Sequence, residues 1–294
     1  MKAITLRSFA LMTAVVIAVA CSGNPLSQDK LDGLSPQDAI KQAFDQISRE
    51  SYKSDYDFKL TYDTRQLPPD IAQRFSASAA DTNGSAKEDV ENPNRAKVTI
   101  PPSRGAGKTL YLVVYDGTFY VSTDGTTYKE APFLSSLVDQ VMGSTTADFA
   151  QHVKDVKDAG QETDAGATVQ HYKASVDSGY LNQLIKNLTM GNGVDPATAA
   201  AIANVMKVDN AAYDIYVRRR DAQPTKIRGV ITASLDFAKL AASQGAPPGR
   251  VAGILKVNSD ATTKFHDYSA KIKVEKPNST GTITPEQLSR ETGG

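Results

Sequence analysis

The segment Gly105-Ala106-Gly107-Lys108-Thr109 has the form of the end of a phosphate-binding loop, where backbone N–H groups and a following helix converge on phosphates. The early glycine that such a loop needs is replaced by Pro102, which has no N–H to offer. After Thr109 comes Leu110-Tyr111-Leu112-Val113-Val114-Tyr115, a β-branched and aromatic run that predicts a strand and not a helix. These glycines are read as loop punctuation. Asp81, Asn83 and Ser85 begin like a calcium loop, but Ala86 stands where the turn glycine belongs and Asn92 where the bidentate Glu belongs. The three histidines, His152, His171 and His266, are far apart and have no partner at helical spacing. No nucleophile elbow and no Ser-x-x-Lys accompanied by its companion motifs is present, and the carboxylates are scattered. The chain is therefore expected to be non-enzymatic, with no catalytic residue, cofactor or metal. Arg218-Arg219-Arg220, with Lys226 and Arg228 across an expected hairpin, can hold a phospholipid headgroup or rest on an anionic membrane; a solvated hairpin end is the plainer alternative.

The remaining chemistry lies at the N-terminus. Lys2 and Arg7 precede an uncharged apolar run from about Phe9 to Ala20, short for a bilayer span, so residues 1–20 read as a secretory signal. It ends at Cys21, the only cysteine. Ala18-Val19-Ala20-Cys21 resembles a bacterial lipobox, with Ala18 in place of the usual leucine, while Ala18-Val19-Ala20 also suits ordinary signal peptidase as an A-x-A site. The position of the lone cysteine favours lipidation. Two acyl chains on Cys21 would give stable anchoring where one is marginal. The expected location is the extracytoplasmic face of a cell membrane. With Cys21 modified, no thiol remains for disulfides, metal binding or catalysis. Removal of the signal leaves 31 basic against 33 acidic residues, a balance with nothing that calls for nucleic acid.

Residues 21–34 are polar and turn-rich and read as a lipidated tether. Ser35-Pro36 opens a helix with Ala39, Ile40, Ala43, Phe44 and Ile47 on one face. Tyr56, Phe58, Leu60 and Tyr62 alternate as in a strand with one buried face. Residues 76–95, poor in apolar side chains, read as an exposed insertion. Strands are expected at 97–100 and 109–115, then a meander through Asp116-Gly117 and Asp124-Gly125 to about Glu130. Helices follow near 133–142 and 147–156, a strand at 168–176, and helices at 180–190 and from Asp195-Pro196. The last part is strand-like at 212–219, 225–235, 250–257 and 265–274, with a short helix at 236–244, and the tail 278–294 reads as mobile. Helix, strands, a helical block and strands again argue for an α+β domain with helices on one face of a curved antiparallel sheet. The strand Leu110–Tyr115 is apolar at nearly every position, so both of its faces should be covered.

The order of these elements, with the meander Tyr115–Pro132, the hairpin Tyr213–Ile231 and a last strand running into Lys276-Pro277, resembles the LppX/LprG-type bacterial lipoprotein carriers. Those are similar in turn to the LolA/LolB-like periplasmic lipoprotein carriers. The resemblance spans most of residues 35–277. It implies a half-barrel sheet closed by helices around an apolar cavity that carries the acyl chains of a lipid or lipoprotein through the cell envelope. A transporter or acceptor protein in the envelope is then a natural partner. The residues expected to line such a pocket are Tyr56, Phe58, Leu60, Leu112, Val114, Leu137, Val141, Leu184 and Leu188, with ordinary core as the alternative for each. A second reading keeps the scaffold but has it bind a partner protein or sense envelope state.

Overall fold

Ser35 and Pro36 start the first helix as their residue types require. In the computed structural model, which describes residues 29–78, 82–102, 107–134, 146–164, 166–182, 196–245 and 252–292, helix α1 (Pro36–Ile47) is capped by the Ser35 hydroxyl. That hydroxyl accepts from the Asp38 amide at 3.2 Å. Ala39, Ile40, Ala43, Phe44 and Ile47 are all buried, the face that the spacing predicts. Cys21, Leu137, Val141, Leu184 and Leu188 lie outside the described residues, as does most of the expected helices 133–142 and 180–190.

The frame is one 12-stranded sheet built from two meanders. The first contains β1 (Tyr52–Gln66), β2 (Thr82–Asn92), β3 (Arg95–Ile100), β4 (Leu110–Tyr115), β5 (Thr118–Ser122) and β6 (Tyr128–Glu130). The second contains β7 (Val153–Asp164), β8 (Ala167–Val176), β9 (Met206–Arg218), β10 (Gln223–Asp236) and β11 (Ile254–His266). They join where β1 pairs antiparallel with β11 from Lys53↔His266 to Gln66↔Ile254. The last strand, β12 (Ser279–Thr282), adds to β6 in parallel, and every other neighbour is antiparallel. Helices α2 (Pro69–Ser78), α3 (Thr146–His152), α4 (Pro196–Val205), α5 (Phe237–Ser243) and α6 (Pro285–Glu291) complete the described elements. The protein is thus α+β, with an open, curved, mainly antiparallel sheet, as the element order predicts.

Hairpin chemistry fixes the register. Asp116 and Gly117 both have positive φ, 48° and 80°, which suits the tight turn joining β4 to β5. Two glycines lie in strands for want of space: a Cβ on Gly84 would run into the Phe58 ring, and one on Gly229 would stand 2.7 Å from the Tyr213 ring. The aromatic side chain of one strand thus lies over a glycine of the next, once in each meander.

Several expectations are corrected. Residues 82–92 of the expected insertion form β2, an interior strand between β1 and β3, because Ala86 and Val90 at alternate positions suffice to bury one face. The helix expected at 147–156 stops at His152, and β7 begins at Val153. Among the β7 residues only Val153 is buried, so this edge strand has no alternation to betray it. The expected strands at 250–257 and 265–274 are replaced by one strand, β11, and 267–278 is irregular. The tail is docked: β12 pairs with β6, Ile283 is buried, and α6 carries a full capping box between Thr284 and Gln287. Of residues 21–34, expected as a tether, the described part is packed on the body: Leu31 is buried and Arg219 reaches Asp29 at 3.1 Å and Asp32 at 2.5 Å. The apolar strand β4 is covered on both faces, with Val113 of its outer face packed with Tyr120 and with Val274 from the irregular segment.

Candidate functional site

The pleat of β1 directs Tyr52, Ser54, Tyr56, Phe58 and Leu60 to one face, and register carries that face across the sheet. Opposite Tyr56 stands Ala86, and opposite Leu112 of β4 stand Val98 of β3 and Val121 of β5. Tyr56, Phe58, Leu60 and Leu112 are buried in one apolar cluster, with Val114 half-buried against it. The structure therefore brings together the five pocket candidates that lie among the described residues. The cluster ends against Ala131, Leu134, Ile283 and Leu288. A second cluster occupies the neighbouring part of the sheet, where Ile40, Phe44 and Ile47 of α1 pack on Tyr52, Val90, Ile215 and Phe265. Full burial of one such large apolar side chain contributes about 1.5–3 kcal/mol.

Between the clusters runs a polar row that the sequence reading did not single out. On β1, Ser54 separates Tyr52 of the α1-covered cluster from Tyr56 of the other. On β2, Glu88 separates Val90 from Ala86 in the same way, and on β11 Thr263 separates Phe265 from Ala261, one step out of line, since Thr263 stands opposite Tyr56 and Phe265 opposite Ser54. Ser54 pairs in register with Glu88, and its hydroxyl donates to the Glu88 carboxyl at 3.0 Å. Ser54 and Thr263 are buried and Glu88 is half-buried. Loss of hydration pushes the Glu88 carboxyl up to about 8, opposed by the Ser54 hydrogen bond and assisted by the charge of Asp89. The signal available in sequence was the break in alternation: a Glu in phase with Ala86 and Val90.

The arginines expected to meet headgroups are otherwise engaged in part. Arg218 is paired with Asp221 at 2.8 Å and donates to Gln223, and Arg219 donates to Asp29, Asp32 and Gln170. Arg220 is exposed at the turn between β9 and β10. Arg228 pairs with Asp260 at 2.7 Å, and Lys226 lies 3.7 Å over the Tyr216 ring. The histidines remain separate. His171 sits between Glu162 (2.9 Å) and Asp214 (2.8 Å), His152 stacks on Tyr180, and His266 lies 3.3 Å from Asp55 and from Asp267. No cluster of three or more metal-ligating side chains occurs among the described residues. A pocket of about 200 Å³ lies under α6, lined by Val121, Asp124, Lys129, Leu288 and Glu291 among others. Its walls are tied by the Lys129–Glu291 ion pair at 2.6 Å and by Asp124, whose carboxyl is held well below the usual range by the Thr127 and Thr126 amides and the Ser122 hydroxyl.

Comparison with known proteins gives no matching family model and no matching curated protein. Similar solved structures include the Mycobacterium tuberculosis lipoprotein LppX, at 12% identity and TM-score 0.43, covering 82% of this chain and 98% of that one. LprF from Mycobacterium bovis matches at 9% identity and TM-score 0.37, covering 82% of this chain and 96% of that one. A putative outer membrane lipoprotein-sorting protein domain from Vibrio parahaemolyticus matches at 8% and 0.25, with 81% and 95% covered. LppX is one of the proteins for which the family resembled in the sequence is named. At these identities and scores the neighbours carry nothing about what this chain binds.

Proposed function

We propose that this protein is a membrane-anchored, extracytoplasmic lipoprotein that takes up the acyl chains of a lipid or acylated cargo and carries them within the cell envelope. The observation that carries the reading is the run of in-phase apolar side chains across β1 to β5, with Tyr56, Phe58, Leu60, Leu112 and Val114 in one cluster. A carrier needs such an apolar wall with few ionisable groups. Lipidation of Cys21 would hold the body at the membrane that supplies the cargo, the docked segment from Asp29 onward setting where the tether leaves the fold. Arg220 and the turn around it would face that surface.

A transfer assay tests the carrier. Donor vesicles holding a pyrene-labelled phospholipid are mixed with unlabelled acceptor vesicles. The protein is expected to raise the transfer rate in proportion to its concentration, and a rate equal to the protein-free blank rejects carriage. Cys21→Ala should move the protein from the membrane to the soluble fraction, and an unchanged distribution rejects the anchor. Should a single stoichiometric protein, with no lipid, accompany the purified protein, the partner-binding reading takes its place.

A further inference from the structure

An apolar cavity for acyl chains has no need of a carboxyl group in its wall, and burying one is costly unless the group is neutral or paired. The row is staggered: Ser54 of β1 and Glu88 of β2 stand directly opposite each other, while Thr263 of β11 lies one same-face step on, opposite Tyr56, and together they divide the α1-covered cluster from the cluster assigned to the cargo. Resting on the carrier reading, we infer that this row is a recognition point for the hydrogen-bond-accepting end of the cargo, an ester carbonyl at the head of its acyl chains, with the Glu88 carboxyl as donor. The acyl chains then lie along the side that holds Tyr56, Phe58 and Leu112, and the head group stops at the row.

The geometry supplies a donor with a free direction. The Ser54 hydroxyl occupies one carboxyl oxygen of Glu88, 3.0 Å away, and Glu88 keeps part of its surface accessible. With its proton affinity raised by burial, the carboxyl is neutral through the neutral pH range and can donate its O–H. On β1 the ionisable groups of the same face are Tyr52, Tyr56 and Tyr62, and the facing residues of β3, Ala96 and Val98, carry none. On β11 the corresponding positions are Phe265, Thr263 and Ala261. Lys53, Asp55, Lys87, Asp89 and Lys97 alternate to the opposite face, where Lys53 lies 3.9 Å from Asp89 and Lys87 3.9 Å from Asp55. No cation among these faces the carboxyl, so ionisation of Glu88 would leave a charge without a counterion and remove the donor together.

Two fluorescent probes test this on the purified protein: a conjugated polyene fatty acid methyl ester, and diphenylhexatriene, a polyene hydrocarbon with no polar atom. Wild type is expected to bind both. Glu88→Leu should weaken the ester by about tenfold, the loss of one hydrogen bond, and leave the hydrocarbon unchanged. Glu88→Gln keeps an N–H donor and should hold the ester within about threefold of wild type. Raising the pH from about 6 to above 9 should weaken ester binding to wild type by about tenfold and leave Glu88→Gln flat. Equal effects on both probes, or none on either, overturn the inference while the carrier reading stands. If wild type binds neither probe, the carrier reading falls and this inference with it.

Discussion

Replacing Glu88 by Gln should stabilise the protein, and by more as the pH rises. The side-chain amide keeps the size of the carboxyl, and its oxygen can still accept from Ser54, so the variant differs chiefly in having no proton to lose. An unfolded Glu titrates near 4.5, and in the fold the Glu88 carboxyl is raised to about 8 by loss of hydration. Below the lower value both states hold the proton, and Glu88 adds nothing to the pH dependence. Between the two values the folded state alone holds it, so wild-type stability falls with rising pH by up to ~1.4 kcal/mol per unit. Above about 8 both states are ionised and the penalty is complete. The shift sets its ceiling at about 5 kcal/mol, and relaxation of water and side chains around a half-buried carboxyl reduces it to about 2–4 kcal/mol. Urea unfolding of both proteins at about pH 5, 7 and 9, with ionic strength fixed, gives the difference directly. The gap in stability between Glu88→Gln and wild type should widen by that amount across the series. Parallel pH dependences, or a wild type that gains on the variant at high pH, would refute the placement of a neutral carboxyl on the inner face.

Three further outcomes follow from the packing. Gly84→Ala forces a Cβ against the Phe58 ring and should cost about 1–3 kcal/mol in denaturant unfolding; in combination with Phe58→Ala the cost should be clearly less than the sum of the two. Ile283→Ala should cost about 2–4 kcal/mol, because Ile283 is buried at the sheet end in a segment that composition alone reads as loose; a mobile tail would show no change. Arg219→Ala removes the ion pairs to Asp29 and Asp32 that flank Lys30, so trypsin should cut after Lys30 about tenfold faster, and an unchanged rate would mean that the start of the body is held by Leu31 alone.

What was legible in the sequence is what local chemistry decides. The Ser35-Pro36 start of α1, the alternation of Tyr56 to Tyr62, the Asp116-Gly117 turn and the two covered faces of β4 all follow from spacing and turn residues, and the structure has each of them. The failures share a cause. Strand β2 buries Ala86 and Val90 only because its neighbours on both sides supply the apolar surface, and the β7 edge strand faces solvent along nearly its whole length. Neither shows the periodicity that marks a strand. The docked tail depends on parallel pairing of β12 with β6 across some 150 positions of chain, a long-range contact that no local pattern encodes. For the polar row, the in-phase Glu88 is a local signal, but its partner is not. Ser54 and Glu88 lie 34 positions apart in the chain and become a site only when the pairing of β1 with β2 sets them opposite each other, with Thr263 one same-face step away.

The central claim is that the inner face of the sheet holds acyl chains, and native mass spectrometry of detergent-free protein carrying Cys21→Ala, followed by lipid extraction, tests it most directly. A carrier should show a bound mass of lipid size that is lost on denaturation and recovered in the organic extract. A clean apo mass that persists after incubation with lipids of the native envelope would contradict that claim.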